Sequence, residues 1–268
     1  MIVRRSRLVA LLAVVLVLGG CAARRGPARH GAPAPNDEAA RFRAKMIHDG
    51  ATPELADWEA WITFYYADPQ PARTVGAIRF LSKRGDLRRN PQPIAAFFGR
   101  VFAQNPAALP EWVDQLKDGP EDQQFFTAIA LWFSNVEGRD ALWQRLADGG
   151  PPSLGRYLEE LRRDVAPDLT TLQPGQAVEL DMLWASFFAT GDTRYVGRII
   201  DLLPPGRDWN ATLAAAARWS LTANSVAHRL VLEFCRQQAV QQPARAGLLQ
   251  EIVAQAEDER YQAERARR

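Results

Sequence analysis

Histidine is the side chain whose ordinary titration falls nearest neutral pH, and the chain has three, His30, His48 and His228. His228 belongs to the best polar cluster. Ser220, Asn224 and Ser225 precede it, and Asn224 and His228 stand four residues apart, which is one face of a helix. Ser220, Asn224 and His228 therefore form the one cluster where an acid or base could work. No carboxylate stands at a spacing that would orient the imidazole. The structural alternative makes Asn224 a helix N-cap and gives His228 an inter-helix hydrogen bond. Other constellations are missing. The chain has no HExxH, no paired cysteine ligands and no EF-hand loop, so no metal site is expected. It has no Walker A loop, GxGxxG or GxSxG, so no cofactor or nucleophile elbow is expected either.

The two cysteines are Cys21 and Cys235. Cys21 follows Arg4, Arg5 and Arg7, then an unbroken apolar run from Leu8 to Leu18, then Gly19 and Gly20. This is the order of an export signal. The eleven apolar residues are too few to span a bilayer, which needs roughly 20. The stretch Leu18-Gly19-Gly20-Cys21 resembles the lipobox of bacterial lipoproteins. That resemblance implies cleavage between Gly20 and Cys21, a diacylglycerol thioether on Cys21, and palmitate-type acylation of the new N-terminus. It implies a cell-envelope location, lipid-anchored. Ala22 after the cysteine favours the outer membrane, with the body facing the periplasm. An ordinary secretory signal, a twin-arginine signal on Arg4-Arg5 and an uncleaved anchor are the alternatives. With Cys21 taken by lipid, Cys235 has no intramolecular disulfide partner, and it reads as a small buried apolar residue.

Removal of residues 1–20 takes away three arginines and no acids, which turns the formal charge of +2 into −1. Binding to nucleic acid, which rests on replacing phosphate counterions with protein cations, is not expected. Lysine occurs only three times, and the many arginines are scattered along the chain.

The elements that must position these residues read as helices throughout. Residues 21–37 carry the lipidated cysteine and a Pro-, Ala-, Gly- and Arg-rich stretch without periodicity, expected to be a disordered tether. From residue 38 apolar residues recur at helical spacing. Trp58, Trp61, Ile62, Tyr65 and Tyr66 form one face; Ile94, Phe97, Phe98, Val101 and Phe102 another; Leu180, Leu183, Trp184, Phe187 and Phe188 a third. Thr52-Pro53-Glu54 reads as a helix start, and Gly85, Gly119 and Gly149 as helix stops. No alternating strand pattern appears. Most of the eight tryptophans, Trp58, Trp61, Trp132, Trp184 and Trp219 among them, fall on these faces and are expected in the core.

The helices pair. Apolar faces end at Tyr66, Phe102, Phe133, Phe188 and Leu221, polar turns follow, and apolar contacts resume at Val75, Trp112, Leu142, Val196 and Leu230, after gaps of 9, 10, 9, 8 and 9 residues. The regularity predicts five degenerate helix–turn–helix hairpins. An extra amphipathic helix (Leu154, Tyr157, Leu158, Leu161, Val165) and a break at residues 166–175 interrupt them. The fold expected is all-α over 38–268, an α-solenoid that resembles tetratricopeptide arrays, with 38–165 and 176–268 as possible sub-lobes. The last helix, from about Ala244, starts apolar and ends charged, as a solvated capping helix would.

A hairpin array without catalytic groups offers extended surfaces suited to protein or peptide partners. The function expected is a membrane-anchored, periplasm-facing scaffold that binds a protein or peptide. A small-ligand or lipid carrier and an envelope enzyme with an unrecognised site are the alternatives. Envelope lytic transglycosylases are helical too, but their catalytic Glu is followed by Ser, a pair this chain lacks.

Overall fold

A computed structural model describes residues 35–148, 150–204 and 210–265, and every regular element among them is a helix. The signal segment, Cys21 and most of the expected tether lie outside the described residues, as does Gly149. The first helix starts earlier than expected, so residues 35–37 belong to it rather than to the tether. In chain order the helices are α1 (Pro35–His48), α2 (Pro53–Thr63), α3 (Thr74–Lys83), α4 (Asp86–Arg89), α5 (Pro91–Gln104), α6 (Leu109–Leu116) and α7 (Glu121–Ser134). Then follow α8 (Arg139–Ala147), α9 (Pro152–Arg163), α10 (Ala177–Thr190), α11 (Thr193–Ile200), α12 (Ala211–Ala227), α13 (Arg229–Gln241) and α14 (Ala246–Arg265).

Local chemistry sets the boundaries. Thr52 Oγ1 accepts the Leu55 N–H at 3.2 Å, with Pro53 in the first helical position where its missing N–H costs nothing. Asp192 and Asn210 cap α11 and α12 in the same way. Before α10 the Glu179 carboxylate reaches back to the N–H groups of Gly175 and Gln176. Gly191 ends α10 at φ +69°, in the left-handed region, and a Cβ there would lie 3.0 Å from the Tyr66 ring.

Of the five expected hairpins, α7/α8, α10/α11 and α12/α13 pack helix against helix, while α2/α3 and α5/α6 follow in chain order and meet through aromatic side chains. Large aromatics space several of them. Trp58 stacks on Phe80 across the first, with centroids 5.6 Å apart, and Phe102 meets Trp112 across the second at 5.8 Å. In the third, the Trp143 indole donates to the Ala128 carbonyl at 3.1 Å. The extra helix is α9, which ends at Arg163; Val165 lies beyond it and is 90% exposed, so it belongs to no apolar face.

Spatial order departs from chain order. In a solenoid each hairpin meets only its neighbours. Here α10 lies along α5, two hairpins earlier, and α5 lies along α7. At Gly99 α5 comes close to α7, next to the Ala130 carbonyl and Phe133. A Cβ on Gly99 would come within 2.6 Å of the Phe133 Cβ. Residues of both expected sub-lobes, Leu81 and Leu131 with Leu183 and Val231, share one apolar core. Two expected core positions are instead at the surface. Trp219 is 43% exposed on α12, and Leu230 turns outward while Val231 and Cys235 fill α13's inner face.

Gly99→Ala, overpacking a contact whose neighbour is anchored to backbone, is expected to destabilise the fold by about 1–3 kcal/mol. Gly155→Ala, on α9 with nothing within 4 Å of the added methyl, is expected to stabilise it by up to about 1 kcal/mol. Urea titration of the two variants separates the cases. Equal effects would mean that α5 and α7 do not approach at Gly99.

Candidate functional site

His228 is fully buried and sits in extended conformation between α12 and α13. Its one-residue interruption leaves the last carbonyls of α12 and the first N–H groups of α13 without intrahelical partners. Two sequence-distant side chains supply them. Arg260 of α14 donates to the Ser225 and Val226 carbonyls at 3.2 and 2.9 Å, a cation at a helix C-terminus. Glu38 of α1, only 7% exposed, accepts the Arg229 N–H at 3.1 Å, an anion at a helix N-terminus. The two then pair with each other at 2.7 Å. The charged end of α14 is therefore not wholly solvated, as a plain capping helix would be.

The imidazole itself lies among rings. Phe64, Phe188 and Phe187 have centroids 4.6, 5.2 and 5.7 Å away, and the Tyr66 hydroxyl is 3.2 Å from Nδ1. Nε2 has no hydrogen-bond partner among the described residues. Burial, reinforced by the Arg260 charge, pushes the imidazole down to about 3. Burial also raises the Tyr66 hydroxyl, with Glu38 adding to the rise and Arg260 opposing it. A neutral, enclosed histidine fits packing and orientation rather than proton exchange with a substrate.

The polar cluster read from the sequence is not gathered into a pocket. Asn224 lies inside α12 and is no N-cap; its amide donates to the Ser220 carbonyl at 2.9 Å. Ser220 Oγ donates back to the Ala217 carbonyl at 3.0 Å. Ser225 Oγ reaches Cys235 Sγ at 3.8 Å, and burial pushes that thiol up to about 11. His228 does hydrogen-bond across the fold, but to Tyr66 in the turn after α2 rather than to another helix, a residue the sequence placed on an apolar face. The position of His228 in a helical pattern hid the interruption, because no glycine or proline marks it.

A different surface is open. A groove of about 1110 Å³ runs between α3 and α4 on one bank and the α6–α7 turn and α7 on the other. Phe125 and Ile129, one turn apart on α7 and only partly buried, contribute apolar surface. Arg79, Lys83 and Arg88 line the first bank; Asp118, Glu121 and Asp122 line the second. The banks touch where the Ser82 hydroxyl donates to Asp122 at 3.0 Å and Arg79 to the Gln115 carbonyl at 2.8 Å. Gln124, 5% exposed, donates to the Lys117 and Gly119 carbonyls and holds the α6–α7 turn in shape.

Two acids with raised pKa values lie elsewhere. Burial lifts Glu59 to about 7, with Arg84 opposing and Asp86 adding, and burial lifts Asp181 to about 6. Neither lines the groove. No group of three or more His, Cys, Asp or Glu residues is placed to hold a metal ion among the described residues. No helix there is long and apolar enough to cross a membrane. No family model, curated protein or solved structure matches the chain.

A histidine held neutral in the fold but free to protonate when unfolded favours the folded state above its unfolded value near 6.5. That contribution is lost as pH falls from 6.5 toward 3, at up to about 1.4 kcal/mol per pH unit. Denaturation at stepped pH should therefore show a steeper acid loss in the parent chain than in His228→Gln. Parallel curves would place His228 in contact with solvent. Arg260→Met, which leaves Glu38 buried and unpaired, is expected to cost about 3–5 kcal/mol at neutral pH, read by the same titration.

Proposed function

We propose that this protein is a membrane-anchored, periplasm-facing lipoprotein whose helical body binds a protein or peptide partner. The observation that carries the binding part is the groove between α3–α4 and α6–α7. It is an open trough with part-exposed apolar residues and charged rims. Enclosed pockets bury most of a small ligand's surface. A trough open along one side instead suits a chain segment, with Phe125 and Ile129 receiving its apolar side chains. The anchoring part rests on Leu18-Gly19-Gly20-Cys21. Acyl chains contribute about 0.8 kcal/mol per buried CH₂, so two or three together hold a protein on a bilayer where one would not. Thirteen residues, 22–34, separate Cys21 from α1. Extended, they reach at most about 45 Å, enough to let the body meet partners beyond the lipid headgroups. The outer membrane is the surface we favour.

Two experiments test the reading. A photoreactive amino acid at Ile129, in intact cells, is expected to give a discrete adduct with one protein, while the same group at exposed Val240 on α13 gives none. Absence of an adduct at Ile129 across growth conditions removes the groove as the binding surface. For the anchor, cells fed an alkyne analogue of palmitate should label the parent chain and not Cys21→Ala, and the variant should persist as the unprocessed precursor that still carries residues 1–20. Unchanged labelling and processing would refute lipidation at Cys21.

A further inference from the structure

The groove's six charges cancel in number but not in place. Every cation, Arg79, Lys83 and Arg88, comes from α3–α4, and every anion, Asp118, Glu121 and Asp122, comes from the α6–α7 turn and the first turn of α7. Helix physics accounts for part of this segregation. Glu121 and Asp122 sit at α7's positive end, while Lys83 and Arg88 sit in the last turns of α3 and α4. It does not account for what the charges face. Lys83, Asp118 and Glu121 form no ion pair among the described residues, and Arg88 approaches Asp122 only at 3.8 Å, with its side chain 73% exposed. Had the two banks been shaped only to close on each other, these groups would pair across the gap. Lys83 and Asp118 stand apart instead, Glu121 takes only the Ser153 hydroxyl at 3.4 Å and Arg88 reaches Asp122 only loosely, with Phe125 and Ile129 offering apolar surface alongside.

We infer that the groove takes a polarised amphipathic peptide segment of another protein. Its apolar stripe lies against Phe125 and Ile129, its acidic flank faces Arg79, Lys83 and Arg88, and its basic flank faces Asp118 and Glu121. The inference rests on the groove being the binding surface, and adds the charge pattern of the partner. A uniformly acidic or uniformly basic segment meets like charge on one bank, and like-charge juxtaposition is what excludes wrong partners at an interface. A segment with acids and bases mixed on both flanks meets attraction and repulsion in equal measure. Only segregated flanks meet opposite charge on both banks. Segregation also fixes direction. A helical segment must run one way along the groove, since turning it end for end swaps its flanks.

The test uses designed helical peptides of one composition and the purified full chain. One peptide carries a leucine stripe with glutamates on one flank and lysines on the other. A second interleaves the same glutamates and lysines on both flanks. By fluorescence anisotropy the segregated peptide is expected to bind about tenfold tighter or better, with the advantage shrinking as salt rises. The double variant Lys83→Glu, Arg88→Glu, altering exposed side chains, is expected to erase the advantage while lowering the unfolding temperature by only a few degrees, the cost of carboxylates at two helix C-termini. Equal affinity of the two peptides for the parent chain overturns the inference and leaves peptide binding at the groove standing. Adducts at Ile129 in cells, with neither peptide binding, also overturn it. Failure of both peptides and of the Ile129 adduct removes the binding surface itself.

Discussion

The break at His228 is the constraint around which the two ends of the chain are organised. A helix interrupted by one extended residue exposes carbonyls on one side and N–H groups on the other, and both are costly to bury without partners. Phe64, Phe187 and Phe188 wall the imidazole and offer these groups no partners of their own. Glu38 and Arg260 serve them instead, one from the first helix and one from the last. Each carries the charge that its helix end prefers, and each neutralises the other. A buried ion pair often adds little net stability against an apolar replacement. What it does here is make α1, the α12–α13 junction and α14 interdependent.

The same region couples to the middle of the chain through α10. Its last carbonyls need partners too. The Phe188 carbonyl accepts the Tyr66 N–H at 3.0 Å, and the Ala189 carbonyl accepts the Gln104 amide at 3.2 Å. Tyr66 then presents its hydroxyl to His228 and its ring to Gly191. One tyrosine thus touches the ends of three hairpins, and its ring, with the left-handed φ, favours glycine at position 191. Gly99 on α5 lets α7 come close as well, so α5 packs against both α7 and α10. This is why the hairpins pack out of chain order.

Much of the architecture was legible in the sequence, because helical periodicity and the spacing of turns report local structure directly. The five hairpins, the cap at Thr52, the extra helix α9 and the buried thiol of Cys235 all follow from such signals. What failed to be legible is tertiary. Nothing local says that α10 lies on α5 or that α7 presses on Gly99, which looks like an ordinary helix residue until a partner approaches it. The candidate site fared worse for a related reason. Asn224 and Ser220 attract attention as cap-forming types, yet both spend their hydrogen bonds on carbonyls of their own helix. The residues that matter at His228, namely Tyr66, Glu38 and Arg260, lie 162, 190 and 32 positions away. The groove was invisible for the opposite reason. Its charges read as ordinary solvated ends of separate helices, and only the fold sets them across a gap.

A groove binds well only if its walls are already in place, because ordering them on binding subtracts from affinity. The α7 wall meets that condition. It is pressed against α5 at Gly99, its first turn is fixed to the α6 end by Gln124, and Phe125 is backed by the Tyr157 ring at 5.2 Å. The α3 wall is held from behind by Ile78 and Leu81, both in the core, and from the front by the Ser82–Asp122 hydrogen bond. Flexibility is left to the side chains of Lys83 and Arg88, which extend into solvent. Rigid walls with mobile charged rims favour tolerance in exact contacts and strictness in sign. That combination suits recognition of a class of segments by charge pattern more than recognition of a single sequence.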